Sequence, residues 1–410
     1  MKILVLTAFV LGFAWRAGMI LLRKRSAKNP IPENVRDVYD AETYRKWKAY
    51  QGERVRFSLV TESVTFLIGL VLLAFNRHAA FASLFPDGWF GQMFAVILLE
   101  TIAGLPLIPF SYYGTMVIEE KYGFNRSTPK TFWLDQVKEL VIGLVIMTAV
   151  GSLLAGLHRW LGDGIIAAFA IAMFALAMLI SFLFPYLSRI FNKFTPLEDG
   201  ELKEKLTALM ESHGFTVRAI RVMDASRRTT RSNAYFAGFG KTKTIVLYDT
   251  LVRAMTPDEI CAVFAHEMGH GLHRDILKNQ ILSFAQMALI ALLAWLVLRT
   301  PAFFTDFGFA GVNYGFAVLL IMNVLVALVM PLWGLVTNGF SRRAEYAADA
   351  QAVKEGCGEA LVSALKKLSR ENLSDLSPSP LLVKLEYSHP TLSPRIAAIE
   401  KAAPAESVDA

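Results

Sequence analysis

Charge is scarce in this chain. Only 19% of its 410 residues are Asp, Glu, Lys or Arg, where a soluble domain carries about 25%. The deficit is concentrated in long stretches with almost no charge, and the mean hydropathy is +0.42. That excludes a disordered protein and argues against an ordinary soluble enzyme. Cysteine is scarce too. Cys261 and Cys357 are the only two, which excludes a disulfide scaffold and any four-cysteine metal site. No internal repeat and no low-complexity tract is present. The formal net charge of +7 would suit nucleic acid, but its distribution points to membrane orientation instead.

What is present is length in apolar runs. A spanning helix needs about 20 mostly apolar residues, and seven stretches qualify: 3–22, 57–75, 90–111, 140–157, 164–187, 279–299 and 312–338. The first runs past Arg16 to Leu22, shows no small-residue cleavage site and ends in a basic cluster, so it reads as a retained helix and not a signal peptide. Basic residues crowd the stretch after the first span (Arg23, Lys24, Arg25, Lys28, Arg36 and onward to Arg56) and the loop after the third (Lys121, Arg126, Lys130, Lys138). The loops after spans two, four and six are nearly bare. Lys and Arg stay on the cytoplasmic side. The expected topology puts the N-terminus outside, and the odd-numbered loops and the C-terminal tail in the cytoplasm.

Two polar regions, 188–278 and 339–410, are too long to be simple loops and are expected to form one small cytoplasmic domain. This divides the chain into a membrane part, 1–187, with five spans, and a second part, 188–410, with the other two. In the first polar region, Glu201 to Ser212 reads as an amphipathic helix and Ile220 to Met223 as a short strand. Asn233 to Phe236 and Thr244 to Tyr248 read as a hairpin turned through Gly238, Gly240 and Lys241. Thr256-Pro257-Asp258-Glu259 is a helix start, with Thr256 as cap, Pro257 in the first turn and Glu259 closing a capping box. The last residues, 403–410, are expected to fray.

The helix begun there carries His266-Glu267-Met268-Gly269-His270. Positions i and i+4 share a helix face, so His266 and His270 can hold one ion between them. Zinc suits two imidazoles. Glu267 sits one step round and can take a proton from a water on the ion, as in metalloproteases. A hydrolytic zinc site keeps three protein ligands and one open position, so a third ligand is expected downstream. Glu345 and Asp349 are again i and i+4, on a helix continuing from the last span. Glu345 is the candidate ligand. Asp349, one turn on, is placed to hydrogen-bond a ligating His or a reaction intermediate. The alternative for this pair is a solvated acidic face beside Arg342 and Arg343.

With these motifs the sequence resembles the type I CAAX prenyl endopeptidases, integral-membrane zinc proteases. The likeness extends over nearly the whole chain. It includes Val117 to Asn125, Ser232-Asn233-Ala234-Tyr235-Phe236, Ile245 to Leu251, the His266–His270 motif, Arg343-Ala344-Glu345-Tyr346-Ala347-Ala348-Asp349 and Ser388-His389-Pro390-Thr391-Leu392. The resemblance implies an all-α membrane fold, seven helices forming a barrel around a water-filled chamber, with a small α+β zincin-like lobe and the metal site at the chamber's cytoplasmic end. It implies one Zn2+ on His266, His270 and Glu345, with Glu267 as general base and Asp349 as catalytic acid or stabiliser. Asn233, Ala234, Tyr235 and Phe236 would lie along the substrate, where an edge strand can pair with a peptide backbone. Ordinary strand packing remains the other reading for Tyr235 and Phe236. His389 and Arg395 would polarise the scissile carbonyl or bind a carboxylate, or else cap a turn.

Arg16 and Glu62, close to their basic flanks, are expected to snorkel. Glu100, near mid-span, is expected to face the chamber. Cys261 reads as a packed thiol, and His78, His158, His213 and His273 have no partner pattern. The expected activity is zinc-dependent peptide-bond hydrolysis of the CAAX-processing type. The alternatives are a general quality-control protease of the membrane, without prenyl specificity, and a non-catalytic scaffold. The expected partners are a peptide or protein, prenylated or not, and the lipid bilayer, with no nucleic acid. The expected location is a bacterial inner membrane, or the endoplasmic reticulum in a eukaryote.

Overall fold

The computed structural model describes residues 1–231, 233–237 and 242–403. The predicted turn residues Gly238, Gly240 and Lys241 lie outside the described residues, as do Ser232 and the tail 404–410. Among the described residues six helices are long and apolar enough to cross a membrane: Lys2–Ser26, Ala41–Ala74, Trp89–Glu119, Pro129–Leu161, Leu277–Arg299 and Tyr314–Lys354. The predicted stretch 164–187 falls in helix Ile165–Leu187, whose described apolar portion, Ile165–Ile180, is shorter.

Several helices outrun the apolar stretch that predicts them, because capping sets their starts. Asp40 accepts the backbone N–H of Thr43 at 2.7 Å, so the second helix begins sixteen residues ahead of the apolar run predicted from 57. Thr128 caps Thr131 at 3.2 Å ahead of Pro129, which starts the fourth helix well before residue 140. Large apolar side chains point outward along the helices, among them Ile3, Leu67, Val145 and Leu332. A bilayer accounts for such a surface, which water would not tolerate.

The ionisable residues inside the membrane half have partners. Arg16 and Glu62 form an ion pair across the first two long helices. Neutralising each other within the bundle removes the cost of holding either charge alone in lipid. Glu100 lines a cavity of about 440 Å³, but it also has a partner that the sequence pattern did not supply. Buried His78, on the short helix Arg77–Ala82, meets Glu100 Oε1 through Nε2 at 2.6 Å.

The polar regions form a four-stranded sheet with helices packed on it. The strands are β1 (Phe194–Pro196), β2 (Thr216–Met223), β3 (Ala234–Ala237) and β4 (Thr242–Tyr248). Their order is β1-β2-β4-β3, with β2 parallel to β4 and both outer strands antiparallel. β3 is therefore an edge. Its described pairing is with β4 alone, with Ala234 opposite Leu247, Tyr235 opposite Val246 and Phe236 opposite Ile245. β1 carries too few residues to show a period in sequence.

Helix Pro257–Leu272, the motif helix, runs against this sheet. Both arms of its capping box form, Glu259 N–H to Thr256 Oγ1 at 3.3 Å and Thr256 N–H to the Glu259 carboxylate at 2.9 Å. Ile260, Phe264 and Met268 recur on its inner face at helical spacing. They join Ile220, Ile245 and Leu247 of the sheet, Leu206 and Met210 of helix Glu201–Ser212, and Ala364 of helix Gly358–Glu371 in one core. Cys261 belongs to the same core, and burial pushes its thiol up to about 11, which agrees with a packed thiol.

Candidate metal centre

The motif helix crosses helix Tyr314–Lys354 closely, and Gly269 is the reason. A Cβ on Gly269 would stand 2.9 Å from Ala348 Cα and 3.1 Å from Gln351 Cβ. Glycine at the motif's fourth position and alanine at 348 let the two backbones approach. One face of each helix then supplies its i, i+4 pair to a common point.

His266, His270 and Glu345 meet there, with one ligand atom from each lying within 4.8 Å of the others. His266 Nε2 is 3.5 Å from Glu345 Oε2, and His270 Nε2 is 3.5 Å from Glu345 Oε1. A tetrahedral zinc about 2.0–2.1 Å from each donor would space its donors roughly 3.3–3.4 Å apart, so the set fits. Glu345 Oε2 is buried and accepts no hydrogen bond among the described residues. An unsatisfied carboxylate oxygen between two imidazoles is what a cation would complete.

Each imidazole is fixed from behind by a carboxylate. His266 Nδ1–H donates to Asp349 Oδ1 at 2.8 Å, and His270 Nδ1–H donates to Asp275 Oδ2 at 3.1 Å. These tautomers leave both Nε2 lone pairs facing Glu345, and such partners raise ligand basicity. Asp349 thus hydrogen-bonds the first imidazole of the motif. It is buried, and it is also held by Arg395, Nε to Oδ2 at 2.8 Å and a second guanidinium nitrogen to Oδ1 at 2.6 Å. Arg395 Nη1 also lies 3.4 Å from Glu345 Oε2. Burial lowers its pKa, but Asp349 and Glu345 outweigh that and raise it further. Burial likewise pushes His270 down, and Glu345 and Asp275 override it and carry the imidazole up to about 9. Alone, this cluster would hold a proton at neutral pH, and a divalent cation would displace it.

Sequence reasoning did not find Asp275 or the structural role of Gly269. The signal for Asp275 was available. After the motif helix the chain reverses at Arg274, in the left-handed region at φ +56°, and Asp275 opens the next helix, Asp275–Arg299. An acidic residue five positions after the second His, at a helix start, is placed to reach back. Its own pKa is lowered, since Lys278 and His270 outweigh its burial.

Glu267 is half-buried on the motif helix, and none of its described contacts is a hydrogen bond or ion pair. His389 approaches from the other side. Its Nδ1 lies 2.8 Å from Ser388 Oγ, its Nε2 is 3.2 Å from Glu345 Oε1, and its ring is largely exposed. His389, Arg395 and Asn233 line one cavity of about 900 Å³, together with Tyr248 and Arg231. The Asn233 end of the predicted substrate strand thus shares a cavity with the metal-side residues. Ala234 packs into the lobe core. The side chains of Tyr235 and Phe236 lie outside the described residues.

Comparison with known proteins agrees over nearly the whole length. A family model described as the CAAX prenyl protease N-terminal, five membrane helices, matches residues 21–193, and one for Peptidase family M48 matches residues 196–403. The chain is 34% identical over 399 residues to the CAAX prenyl protease 1 homolog of Arabidopsis thaliana, covering 90% of each. It is 31% identical over 414 residues to CAAX prenyl protease 1 of Saccharomyces cerevisiae, covering 92% of this chain and 90% of that one. Among solved structures, the crystal structure of S. mikatae Ste24p superposes with a TM-score of 0.88 at 30% identity, covering 97% of this chain and 98% of that one.

Proposed function

The chain belongs to peptidase family M48, and we propose that this membrane metalloprotease binds one zinc ion on His266, His270 and Glu345 and cleaves proteins that end in a prenylated CAAX box. The observation that carries the proposal is the convergence of two imidazole Nε2 atoms on Glu345, each imidazole backed by a buried carboxylate. The donor set, two nitrogens and one carboxylate, is that of a hydrolytic zinc site with one position left for substrate. Substrates of the CAAX kind are supported by the relatives that match over 90% or more of both chains.

When bound, the ion would supply activation of water and polarisation of the scissile carbonyl. Glu267, which makes no hydrogen bond among the described residues, takes the proton of the attacking water and returns it to the leaving amine. His389 donates from Nε2 to the oxygen on which charge develops, from the cavity side of Glu345. Asp349 and Asp275 hold the two imidazoles and do not touch the peptide. Arg395 fixes Asp349. The substrate's main chain adds to the free edge of β3, from Asn233 to Phe236, so that backbone hydrogen bonds give affinity and varied side chains are tolerated.

The wider reading is seven spans, 164–187 included, enclosing a chamber, with the lobe formed by 188–278 and 339–410 cytoplasmic and the N-terminus outside, in a bacterial inner membrane, or in the endoplasmic reticulum of a eukaryote. The supports are the apolar helices, the basic loops and the match of the membrane half to a five-helix domain. The test is cleavage of a farnesylated CAAX peptide beside its unprenylated twin by purified protein, with zinc and with chelator. Chelator-sensitive cleavage of the lipidated peptide alone is expected. Equal cleavage of both would move the assignment to general membrane proteolysis, and cleavage of neither would return the scaffold reading.

A further inference from the structure

The segment just before β3 is tied to the membrane half more heavily than a linker needs to be. Residues 228–231 run antiparallel to loop 123–126. Arg126 N–H donates to Arg228 C=O at 2.9 Å, Thr229 bridges Asn125, and Thr230 N–H donates to Phe124 C=O at 3.2 Å. Thr230 Oγ1 donates to Gly123 C=O at 2.9 Å, and the Arg228 guanidinium pairs with Asp135 at 2.9 Å. Gly123, Phe124 and Asn125 of this loop end the sequence motif Val117 to Asn125, which the metal chemistry leaves unused.

Arg231 ends this segment. One of its guanidinium nitrogens donates to Tyr50 Oη at 2.7 Å and lies 3.2 Å from Glu119 Oε2. The guanidinium also lies over the Phe124 ring, 4.5 Å from its centroid. Tyr50, fully buried on helix Ala41–Ala74, donates its hydroxyl proton to Glu119 Oε1 at 2.6 Å. The hydroxyl therefore accepts from Arg231 and donates to Glu119, and the three side chains close into one node. Arg231 C=O accepts from Thr250 Oγ1 at 2.9 Å, which fixes the backbone as well. Only Ser232 and Asn233 separate Arg231 from β3.

The node is a poor stabiliser by itself. Arg231 and Glu119 are 38% and 27% exposed, and ion pairs in such settings add little to stability. Its planar, stacked geometry fixes direction instead. The opposite edge of β3 faces no described strand, so the strand's tilt depends on β4 and on this anchor.

We propose that Tyr50, Glu119 and Arg231 are positioning residues for the substrate: they aim the free edge of β3 so that a polypeptide can add to it in register with the metal centre. This rests on the strand-addition reading above. Two helices of the membrane half thereby set the binding geometry of the catalytic lobe.

The test is kinetic and uses the full-length protein in detergent. Tyr50→Phe removes the bridging hydroxyl and keeps the packing, and Glu119→Gln is the second variant should the first fail to fold. Each is assayed on the peptide that the wild type cleaves and on two derivatives N-methylated at consecutive amides. Edge pairing uses alternate amides, so one derivative alone should lose about tenfold in KM with the wild type, the equivalent of one backbone hydrogen bond. Tyr50→Phe is expected to raise KM about fivefold, to change kcat less than about twofold and to keep its metal. Its methylation penalty should shrink, because the strand is already misaimed. Wild-type KM in a folded variant, or an undiminished methylation penalty, would overturn the positioning role. Equal tolerance of both methylated peptides by the wild type would instead overturn strand addition, and this inference with it.

Discussion

Gly269→Ala tests the geometry of the metal centre without touching a ligand. The added Cβ would stand 2.9 Å from Ala348 Cα, where carbon atoms rest at roughly 3.5–4.0 Å. The contact is short by about 0.6–1.1 Å, and the atom it meets is backbone, which no rotamer change can move. Gln351 Cβ at 3.1 Å and Ala348 Cβ at 3.3 Å close the other directions. The two helices must therefore separate by most of that amount. Ligand positions in a metal site are set to about 0.2 Å, so His266 and His270 would no longer meet Glu345 at the proper spacing. Overpacking alone costs roughly 1–3 kcal/mol. The expected result is a metal affinity at least about tenfold weaker by chelator competition and a lower Tm in detergent, with the protein still inserted. A Gly269→Ala protein with wild-type affinity and Tm would refute the claim that this glycine sets the helix approach.

Asp275→Asn should weaken the metal by about 10- to 100-fold through His270 with little loss of Tm, because its other partner, Lys278, is largely exposed; chelator competition and thermal unfolding on one sample check both halves. Glu259 gives the pH dependence. Burial pushes its carboxyl up, but Lys367, Ser363 and the Thr256 N–H outweigh this and hold it below its usual value. The stabilisation is therefore complete above the unfolded-state value of about 4.3 and is lost as pH falls below it. Glu259→Gln should start with a lower Tm at neutral pH and lose less of it on acidification; parallel curves for the two proteins would contradict this.

Local signals account for most of what the sequence disclosed. Periodicity marked the apolar helices, and chemistry at fixed spacing marked His266, Glu267, His270 and Glu345. The capping box at Thr256 is a short-range pattern and appears in full. Less visible were contacts between residues far apart in the chain. His78 with Glu100, Arg16 with Glu62, and Tyr50 with Arg231 depend on how helices pack, and no one-dimensional period records packing. Asp275 stands between these cases. Its partner is five residues away, but the contact exists only because the chain reverses at Arg274. Spacing placed Asp349 beside the site, but its contact with Arg395, 46 residues on, has no local signal.

The most direct measurement takes metal content and turnover on the same preparations of wild type and Glu267→Gln. Glu267 ligates nothing and pairs with nothing among the described residues, so the account predicts about one zinc per chain in both proteins and a fall in kcat of at least about 100-fold in the variant. Full turnover by Glu267→Gln, or loss of its metal, would contradict the assignment of this carboxylate as the base and with it the proposed chemistry of the site.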